Sequence, residues 1–317
     1  MKVTRRAVLA TLAATSAAAQ TQTRRPRNWK PKLGILGPYS EANVEFARKE
    51  GFTSLQLQVG GTLPADASDE LIAKVKDSVS RAGLFVSSLM SSENHTAPDP
   101  AQRAAINGRF ARTIELAGKL GVPFVAGMSG NMPGRRLNDQ VDEIVRVYTE
   151  KYFPLCEKHN VKIVWETWAG GPNLATGPVG YEALFKGFDN SPYVGLLFDP
   201  SHLQWQFMDP VACARTWVDR IWDVHLKDCE ILWPVLRRTG INPLDNSRWW
   251  RFRLPGAGSL DWKGFFSVLQ EAGYQGAMNI EHEDAFYYPQ YAGSDFTEPY
   301  KSGFRVAHDF LRQYVPE

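Results

Sequence analysis

Short runs of apolar and β-branched residues alternate, from Lys32 onward, with longer segments in which apolar residues recur at helical spacing. This alternation is typical of βα units around a parallel sheet. The predicted strands are Lys32–Leu36, Ser54–Val59, Leu84–Ser88, Phe124–Gly127, Lys162–Glu166, Gly195–Asp199, Ile221–Lys227 and Gly276–Glu281. The predicted helices are Glu41–Glu50, Ser68–Ala82, Ala101–Leu120, Asp139–His159, Val179–Phe188, Pro210–Val218, Trp262–Ala272 and Pro299–Tyr314.

Eight βα units in about 285 residues fit a closed (β/α)₈ barrel, so we predict an α/β fold with a single TIM-barrel domain over residues 32–317. An open doubly wound sheet is the alternative. The dinucleotide-binding form of such a sheet has no support, because Gly34 and Gly37 lead into PYSEAN and supply no glycine-rich fingerprint after the first strand. In a closed barrel the active site lies at the C-terminal ends of the strands.

Four acidic or imidazole side chains stand at the C-terminal tips of strands five to eight: Glu166, Asp199, His225 and Glu281. A single glutamate at a strand end is commonly a cap or an ion-pair partner, but four at equivalent tips indicate a metal site. Three carboxylates and one imidazole are mostly hard oxygen donors, which suit Mn²⁺ or Mg²⁺ and admit Co²⁺, Fe²⁺ or Zn²⁺. We therefore predict a divalent-metal cofactor, with Mn²⁺ as the first choice.

The seventh strand allows a check from alternation alone. Asp223, His225 and Lys227 share one face, and Val224 and Leu226 share the other. The outer face of a barrel strand packs on helices and is apolar, so the polar set points into the barrel. Charges buried there need partners or a metal ion.

The order Glu, Asp-Pro-x-His, His-x-Lys-Asp, Glu across strands five to eight resembles the xylose-isomerase-like barrel superfamily. That superfamily includes sugar isomerases and epimerases of the tagatose 3-epimerase kind, hydroxypyruvate isomerase, inosose dehydratase and endonuclease IV. The resemblance covers essentially the whole chain after its leader. It implies that Glu166, Asp199, His225 and Glu281 hold the metal and that His202 contacts substrate.

The resemblance also implies a function. Glu166 and Glu281 would be the catalytic residues, one removing a proton from the substrate carbon and the other returning it. The expected activity is a divalent-metal-dependent isomerase or epimerase, acting on a small-molecule ketose or keto-polyol through an enediolate. Such chemistry needs a positioned base and an electrophile for the developing oxyanion.

One position departs from the epimerase pattern. Epimerases carry an arginine six residues after the strand-seven histidine, where this chain has Ile231. The HLKD motif is closer to the inosose-dehydratase branch. An inosose-dehydratase-like or keto-glycoside lyase reaction, which starts from the same enediolate, is therefore an alternative.

Several other residues have two interpretations each. Lys227 could bind substrate oxygens or pair with Asp228 or with a carboxylate of the cluster. His95, in the loop after strand three, could contact substrate or make a structural hydrogen bond. Trp168 could stack on a sugar or belong to the core. Asp228 and Glu283 are predicted to surround and orient the metal ligands.

Two further function classes fit the sequence less well. An apurinic endonuclease would need more histidines for a zinc cluster and a basic surface, whereas this chain has six histidines. A non-enzymatic periplasmic sugar-binding barrel would have no use for a carboxylate on each side of a substrate carbon. Residues 229–260 form a long insertion after strand seven, which predicts a lid or a contact in a homo-oligomer.

The N-terminus changes the expected location. Residues 1–19 have a basic start, an apolar run and three alanines before Gln20, which predict a signal peptide. The pair Arg5-Arg6 resembles a twin-arginine signal, so we expect export to the periplasm, with residues 20–31 as a linker. An uncleaved leader is the alternative.

The formal charge of +2 includes three basic residues of that leader, so the mature chain would be near neutrality. No nucleic acid or anionic membrane is expected as a partner, and no membrane insertion of the mature chain. The three cysteines Cys156, Cys213 and Cys229 are too widely spaced for a disulfide framework or a zinc knuckle.

Overall fold

The computed structural model describes residues 29–315, which form a closed parallel barrel of eight strands with helices around it. The barrel strands are β1 (Lys32–Gly37), β2 (Ser54–Gln58), β3 (Phe85–Met90), β4 (Phe124–Gly127), β5 (Lys162–Glu166), β6 (Val194–Phe198), β7 (Ile221–Leu226) and β10 (Ala277–Ile280). Two hairpins lie outside the barrel: β8 (Asp228–Ile231) with β9 (Trp250–Arg253), and β11 (Tyr291–Ala292) with β12 (Asp295–Phe296).

The hydrogen-bonded order is β1-β10-β7-β6-β5-β4-β3-β2, and β2 closes on β1. Every barrel strand therefore runs beside its sequence neighbour, and all eight C-terminal ends meet at one mouth. The predicted α/β TIM barrel is confirmed.

The helices are α1 (Glu41–Lys49), α2 (Asp69–Ala82), α3 (Pro100–Leu120), α4 (Leu137–Val147), α5 (Phe153–His159), α6 (Pro178–Gly187), α7 (Pro200–Trp205), α8 (Pro210–Trp217), α9 (Trp233–Thr239), α10 (Trp262–Glu271) and α11 (Glu298–Leu311). The side chains of Ser40, Ser68 and Asp99 cap the first three, each accepting a backbone N–H at the third helical residue. Gly83 and Gly121 end α2 and α3 in the left-handed conformation, at φ of 67° and 74°.

Several details differ from the sequence prediction. The helix predicted over Asp139–His159 is divided into α4 and α5 by a π-helical turn at Tyr148–Tyr152. The short helices α7 and α9 were not predicted, because six and seven residues are too few to show a helical period.

The main core lies between the barrel and its helices, where Ile35, Trp165 and Phe198 are fully buried. Trp29 belongs to the predicted linker, yet it is 6% exposed and packs edge-on against Phe266 at 6.4 Å. The folded domain therefore begins before the predicted boundary at residue 32.

The predicted signal peptide lies outside the described residues, as does most of the predicted linker. Among residues 29–315, no helix combines the length and apolar character that a membrane crossing requires.

Candidate metal centre

The barrel mouth brings the four predicted ligands together. Glu166 ends β5, Asp199 follows β6, His225 lies in β7 and Glu281 follows β10. One donor atom from each residue lies within 4.8 Å of the other three. Asp199 also caps α7, where its Oδ1 accepts a hydrogen bond from the Ser201 N–H at 2.9 Å.

The Nδ1 atom of His225 sits among the three carboxylates. It lies 2.8 Å from Glu281 Oε2, 3.2 Å from Glu166 Oε1 and 3.8 Å from Asp199 Oδ2. All three acidic side chains are buried or nearly so, at 15% exposure or less. A buried group of three carboxylates is costly unless a cation compensates it.

The donor set fits a divalent ion. The Oδ2 atom of Asp199 is fully buried and makes no well-formed hydrogen bond. Lys227 Nζ lies 3.1 Å from it, so that contact is an ion pair without a directed hydrogen bond. A buried carboxylate oxygen that is aimed at three other donors and lacks a directed partner is suited to coordination.

Lys227 supplies a positive charge beside the cluster. Its Nζ lies 2.7 Å from Glu281 Oε2, 2.9 Å from Glu283 Oε2 and 3.1 Å from Asp199 Oδ2. Burial opposes its charge, but these carboxylates outweigh burial and hold the pKa of Lys227 well above its usual value. Lys227 therefore pairs with carboxylates at the cluster and not with Asp228.

The same group of charges also shifts the pKa values of Glu281, Glu166 and His225. Burial raises the pKa of Glu281, but the charges of His225 and Lys227 hold that pKa well below its usual value. Burial and Glu281 raise the pKa of Glu166, yet hydrogen bonds with His202 and His225 leave it lowered. Burial disfavours a charged His225, but Glu281 and Glu166 hold its pKa well above the usual value. These shifts favour ionised glutamates and a protonated His225 ring in the metal-free site.

Binding of Mn²⁺ is therefore expected to release about one proton near neutral pH, because a ligand nitrogen must be neutral. The pKa of His225 is raised, so affinity should increase with pH up to that pKa. Calorimetric titrations in buffers of different ionisation enthalpy measure the protons released. His225→Gln, which has no titrating ring, is the control and should release none. Binding to the wild-type protein without proton release would contradict this charge state.

His202 lies on α7, three residues after Asp199, with its Nε2 facing the cluster. That atom is 3.4 Å from Asp199 Oδ2 and 3.5 Å from Glu166 Oε1. Its Nδ1 accepts a hydrogen bond from Trp205 Nε1 at 3.4 Å, so the proton of the neutral ring lies on Nε2. The rings of His202 and Phe252 pack nearly perpendicular to each other, at 5.2 Å between centroids.

A cavity of about 360 Å³ opens above the cluster. The predicted residues Trp168, His202, Lys227 and Glu283 line it together with Glu166 and Glu281. Its remaining walls come from other strand ends and from the insertion: Leu36, Gln58, Met90, Ser92, Met128, Arg248, Phe252 and Tyr288. The cavity is large enough for a small ligand in contact with both glutamates.

His95 does not line this cavity. The structure supports the prediction that its ring makes structural hydrogen bonds. The side chain is fully buried, with Nδ1 3.0 Å from Tyr152 Oη and Nε2 3.0 Å from the Met128 carbonyl oxygen. Burial lowers the pKa of His95 to about 3, so the ring is neutral. It connects the loop after β3 to the surrounding core.

Asp228 also differs from its predicted role, because strand alternation turns it away from the cavity. Its carboxylate accepts hydrogen bonds from the backbone N–H groups of Gly256 at 3.0 Å and Leu260 at 3.1 Å. It accepts two more from Cys229 N and Trp262 Nε1, both at 2.8 Å. Asp228 thus fastens both ends of the insertion to the barrel and does not contact the ligands directly.

The insertion forms one wall of the cavity. Strands β8 and β9 pair antiparallel, and Arg253 joins this hairpin to Asp284, which lies beyond β10, at 2.8 Å. Ile231 is buried in the small core of the hairpin, so an apolar residue is required there. Arg248 lies 4.3 Å from the Trp250 ring, whose plane stacks on Trp205 at 4.7 Å. The predicted subunit contact stays a prediction.

Comparison with known proteins supplies the family. Residues 44–314 match the family described as xylose isomerase-like TIM barrel. The chain belongs to the xylose isomerase-like TIM barrel family. The resemblance inferred from the four strand tips is thereby confirmed.

Two sequence relatives and one solved structure are similar to this xylose isomerase-like barrel. The uncharacterized protein YfiH of Bacillus subtilis (strain 168) is 28% identical over 325 residues, 90% of this chain and 97% of YfiH. An inosose dehydratase of Clostridium beijerinckii is 26% identical over 267 residues, 80% of this chain and 85% of the relative. The structure of L-ribulose 3-epimerase has the same fold, with a TM-score of 0.68, 18% identity, and coverage of 90% of this chain and 94% of that one.

Sequence reasoning missed several residues of this xylose isomerase-like barrel. Phe252 and Tyr288 line the cavity and were not singled out, whereas Arg248 lies in the insertion that was predicted to be a lid or a subunit contact. Gln56 and Ser88 lie inside the barrel below His225, and they were overlooked. The alternation SLQLQ in the second strand was a usable signal, because it places Gln56 on the inner face.

Proposed function

We propose that this protein is a divalent-metal-dependent isomerase or epimerase of a ketose or keto-polyol, acting through an enediolate. The observation that carries the proposal is the placement of Glu166 and Glu281. They line the same cavity from β5 and β10, with β6 and β7 between them, and both contact His225 Nδ1. Two ionised carboxylates around one ligand-sized space can exchange protons with a carbon between them.

The proposed chemistry moves one proton at a time. One glutamate removes the proton from the carbon beside the substrate carbonyl. The electrons of that C–H bond form a carbon–carbon double bond, and the carbonyl π electrons move to oxygen and give the enediolate. The carboxylic acid so formed returns its proton to carbon, or the other glutamate first takes up a proton from solvent and delivers it while the first later releases its own to solvent. Delivery to the opposite face inverts that carbon. Delivery to the former carbonyl carbon moves the carbonyl, provided that the proton of the neighbouring hydroxyl passes to the former carbonyl oxygen.

The metal would be held by Glu166, Asp199, His225 and Glu281, one donor atom from each. When bound, a divalent ion supplies a positive charge for the oxyanion that develops on the substrate. Oxygen-rich ligands favour Mn²⁺ or Mg²⁺, and Mn²⁺ remains the ion that we propose. Because each carboxylate offers one oxygen, the second oxygen of a glutamate is available for the proton.

His202 and Lys227 are proposed to bind and orient the substrate. Both line the cavity, and Lys227 Nζ lies 3.4 Å from His202 Nε2. The two donors can therefore bind neighbouring oxygens of one substrate. Phe252 covers this pair, with Lys227 Nζ 4.2 Å from its ring centroid. An apolar cover reduces access of water to the enediolate and strengthens the hydrogen bonds beneath it.

Dehydration is a second candidate, favoured by one specific observation. Ile231 stands where the epimerases have an arginine, and here it packs into the core of the hairpin. An enediolate can expel a hydroxyl group from the next carbon if an acid protonates it. Lys227 lines the cavity and can donate a hydrogen bond to the departing hydroxyl group, although its raised pKa makes it a poor source of the proton itself. The inosose dehydratase relative is consistent with this alternative.

We also propose that the leader directs export to the periplasm. The twin basic residues and the apolar run of residues 1–19 support this proposal. An exported enzyme would act on a free or glycosidically linked sugar more readily than on a sugar phosphate. Cell fractionation with an antibody against the protein, in cells with and without an intact Arg5-Arg6 pair, would test it. Retention of both forms in the cytoplasm would contradict export.

Arg248 is expected to affect substrate binding more than turnover. It is exposed, lines the cavity mouth and, among residues 29–315, no carboxylate lies within ion-pairing distance of it. We expect Arg248→Ala to raise KM about tenfold and to change kcat by less than about threefold, since the lost contact lies far from the reacting carbon. Arg237→Ala is the matched control, because Arg237 lies over Trp233 on the same insertion and does not line the cavity. Equal KM values for wild type and Arg248→Ala would contradict this role.

Deuterium exchange tests the proposed function. Mn²⁺-loaded protein is incubated in D₂O with a panel of ketoses, inososes and keto-glycosides, and the products are followed by NMR. Deuterium beside the carbonyl together with an epimer or isomer supports the first candidate, and a dehydrated product supports the second. If no substrate of the panel gains deuterium, proton abstraction is wrong for these classes.

A further inference from the structure

We propose that Gln56, Ser88 and Asp223 form a positioning chain that fixes which nitrogen of His225 is available to the metal. The inference rests on the proposed metal site, and it assigns a role to three side chains of the barrel interior. His225 Nδ1 faces the carboxylates, whereas His225 Nε2 lies 2.6 Å from Gln56 Oε1. The ring can coordinate through Nδ1 only if its proton stays on Nε2.

The chain of hydrogen bonds runs from Asp223 to His225. The hydroxyl of Ser88 donates to Asp223 Oδ2 at 2.6 Å, and Gln56 Nε2 donates to Ser88 Oγ at 2.7 Å. Asp223 Oδ1 accepts from Val224 N at 3.1 Å and Asn279 Nδ2 at 3.3 Å. Asp223 is therefore the terminal acceptor of the chain.

The direction of each bond follows from the one before. Ser88 gives its only hydroxyl proton to Asp223, so its oxygen must accept from Gln56. The amide nitrogen of Gln56 is thereby turned to Ser88, and its carbonyl oxygen is turned to His225. A carbonyl oxygen only accepts, so His225 Nε2 must carry the proton. This leaves the lone pair of the neutral ring on Nδ1, where the carboxylates converge.

Burial makes this arrangement specific. Gln56, Ser88, Asp223 and His225 are all fully buried, so water cannot replace a broken link without entering the barrel. Reversing the amide of Gln56 would place two donors against each other at Nε2 and two acceptors near Ser88. The cost of a buried unpaired group is about 1–3 kcal/mol for each atom.

Strand β1 leaves room for Asn279, whose Nδ2 donates to Asp223 Oδ1. Gly34, on β1, pairs with Asn279 of β10 and with Ser54 of β2. A Cβ at Gly34 would lie 2.4 Å from Asn279 Oδ1 and 2.4 Å from the Ser54 carbonyl oxygen, so a larger residue cannot be placed there without movement. The glycine thus leaves the space that the Asn279 side chain, a donor to Asp223, occupies.

Gln56→Met and Gln56→Glu test the chain through metal affinity. Methionine has a similar size but neither accepts from Nε2 nor donates to Ser88, and we expect the Kd for Mn²⁺ to rise about 10- to 100-fold. A protonated glutamic acid presents a carbonyl oxygen to His225 and an O–H to Ser88, so Gln56→Glu is expected to restore the Kd to within about threefold of wild type. Gln140→Met is the matched control, because Gln140 is buried and bonded at both ends of its amide but lies on α4.

The tautomer itself is the second readout. Nitrogen-15 NMR of Zn²⁺-loaded protein should show the His225 proton on Nε2 in wild type and in Gln56→Glu, and a loss of that signal in Gln56→Met. If Gln56→Met does not fold, Ser88→Ala replaces it as the test variant. Ser88→Ala should weaken Mn²⁺ binding by a smaller factor, because Gln56 is kept but its amide group is free to rotate by about 180°.

The outcomes separate this inference from the proposed function. If Gln56→Met and Ser88→Ala bind Mn²⁺ as tightly as wild type and retain the Nε2 proton, the positioning chain is wrong while the metal site stands. An equal loss in Gln140→Met would also overturn it, because the effect would then be general destabilisation. If wild type binds no divalent ion, the proposed function and the chain both fail. If wild type binds Mn²⁺ but exchanges no substrate proton, only the proposed reaction fails.

Discussion

Replacing Glu281 by glutamine is expected to lower kcat by about 10²- to 10⁴-fold, the range found when a general acid or base is removed. Glutamine has nearly the same shape but cannot take up the substrate proton. It also offers the metal a weaker, neutral oxygen, so the Kd for Mn²⁺ should rise as well. Kinetics at saturating Mn²⁺ separates these two effects, because the loss in kcat should remain when the site is full.

The geometry makes Glu281 the more informative of the two glutamates to replace. Its Oε2 lies 2.8 Å from His225 Nδ1 and 2.7 Å from Lys227 Nζ, so it contacts both cations of the metal-free site. Glu283→Gln is the matched control, since Glu283 lines the same cavity and contacts Lys227 at 2.9 Å but is not one of the four donors. If the two variants lose the same activity, or if full metal occupancy restores Glu281→Gln, then Glu281 does not transfer protons.

Removing the charge of Lys227 is expected to destabilise the metal-free protein by about 3–5 kcal/mol in the free energy of unfolding. In Lys227→Met, the carboxylates of Asp199, Glu281 and Glu283 lose their common cation while they stay within the barrel mouth. The pKa values of Glu281 and Glu283, which Lys227 lowers in the wild type, should rise in the folded variant. Stability from a raised carboxyl pKa is present at low pH and lost as the pH rises through it, so the deficit should be larger in mildly alkaline buffer.

Chemical denaturation with and without Mn²⁺ measures this effect. A bound ion replaces part of the missing charge and adds stability by mass action, so Mn²⁺ should stabilise Lys227→Met more than wild type. Lys119→Met is the control, because Lys119 pairs with the exposed Asp69 on the surface and its loss should cost under about 1 kcal/mol. A deficit in Lys227→Met no larger than in Lys119→Met would contradict the account of the cluster charges.

The barrel and its four strand tips could be predicted because both depend on local periodicity. Apolar strands between amphipathic helices specify βα units, and period-two alternation places His225 and Lys227 inside. Even at these tips the local structure was harder to predict. Asp199 was assigned to a strand, but Pro200 begins a helix immediately after it and Asp199 caps that helix.

The rest of the site depends on contacts between distant segments. Phe252 and Arg248 reach the cavity only because Asp228 and the β8–β9 pairing fold the insertion over the mouth. His95 follows a strand end, as an active-site residue would, yet its ring is held by Tyr152, 57 positions away along the chain. Gln56 and Ser88 resemble ordinary polar residues of amphipathic strands. They are register partners on the adjacent strands β2 and β3, and no spacing within either strand indicates that they reach His225 and Asp223 of β7 across the barrel.

The most direct test of the metal centre is electron paramagnetic resonance of the Mn²⁺-loaded protein, measured as bound ions per chain and as nitrogen couplings to the ion. The account predicts one Mn²⁺ per chain with a coupling from a single imidazole nitrogen, absent in His225→Gln and retained in His202→Gln. The absence of bound Mn²⁺ in wild type, or an imidazole coupling that survives in His225→Gln, would contradict it.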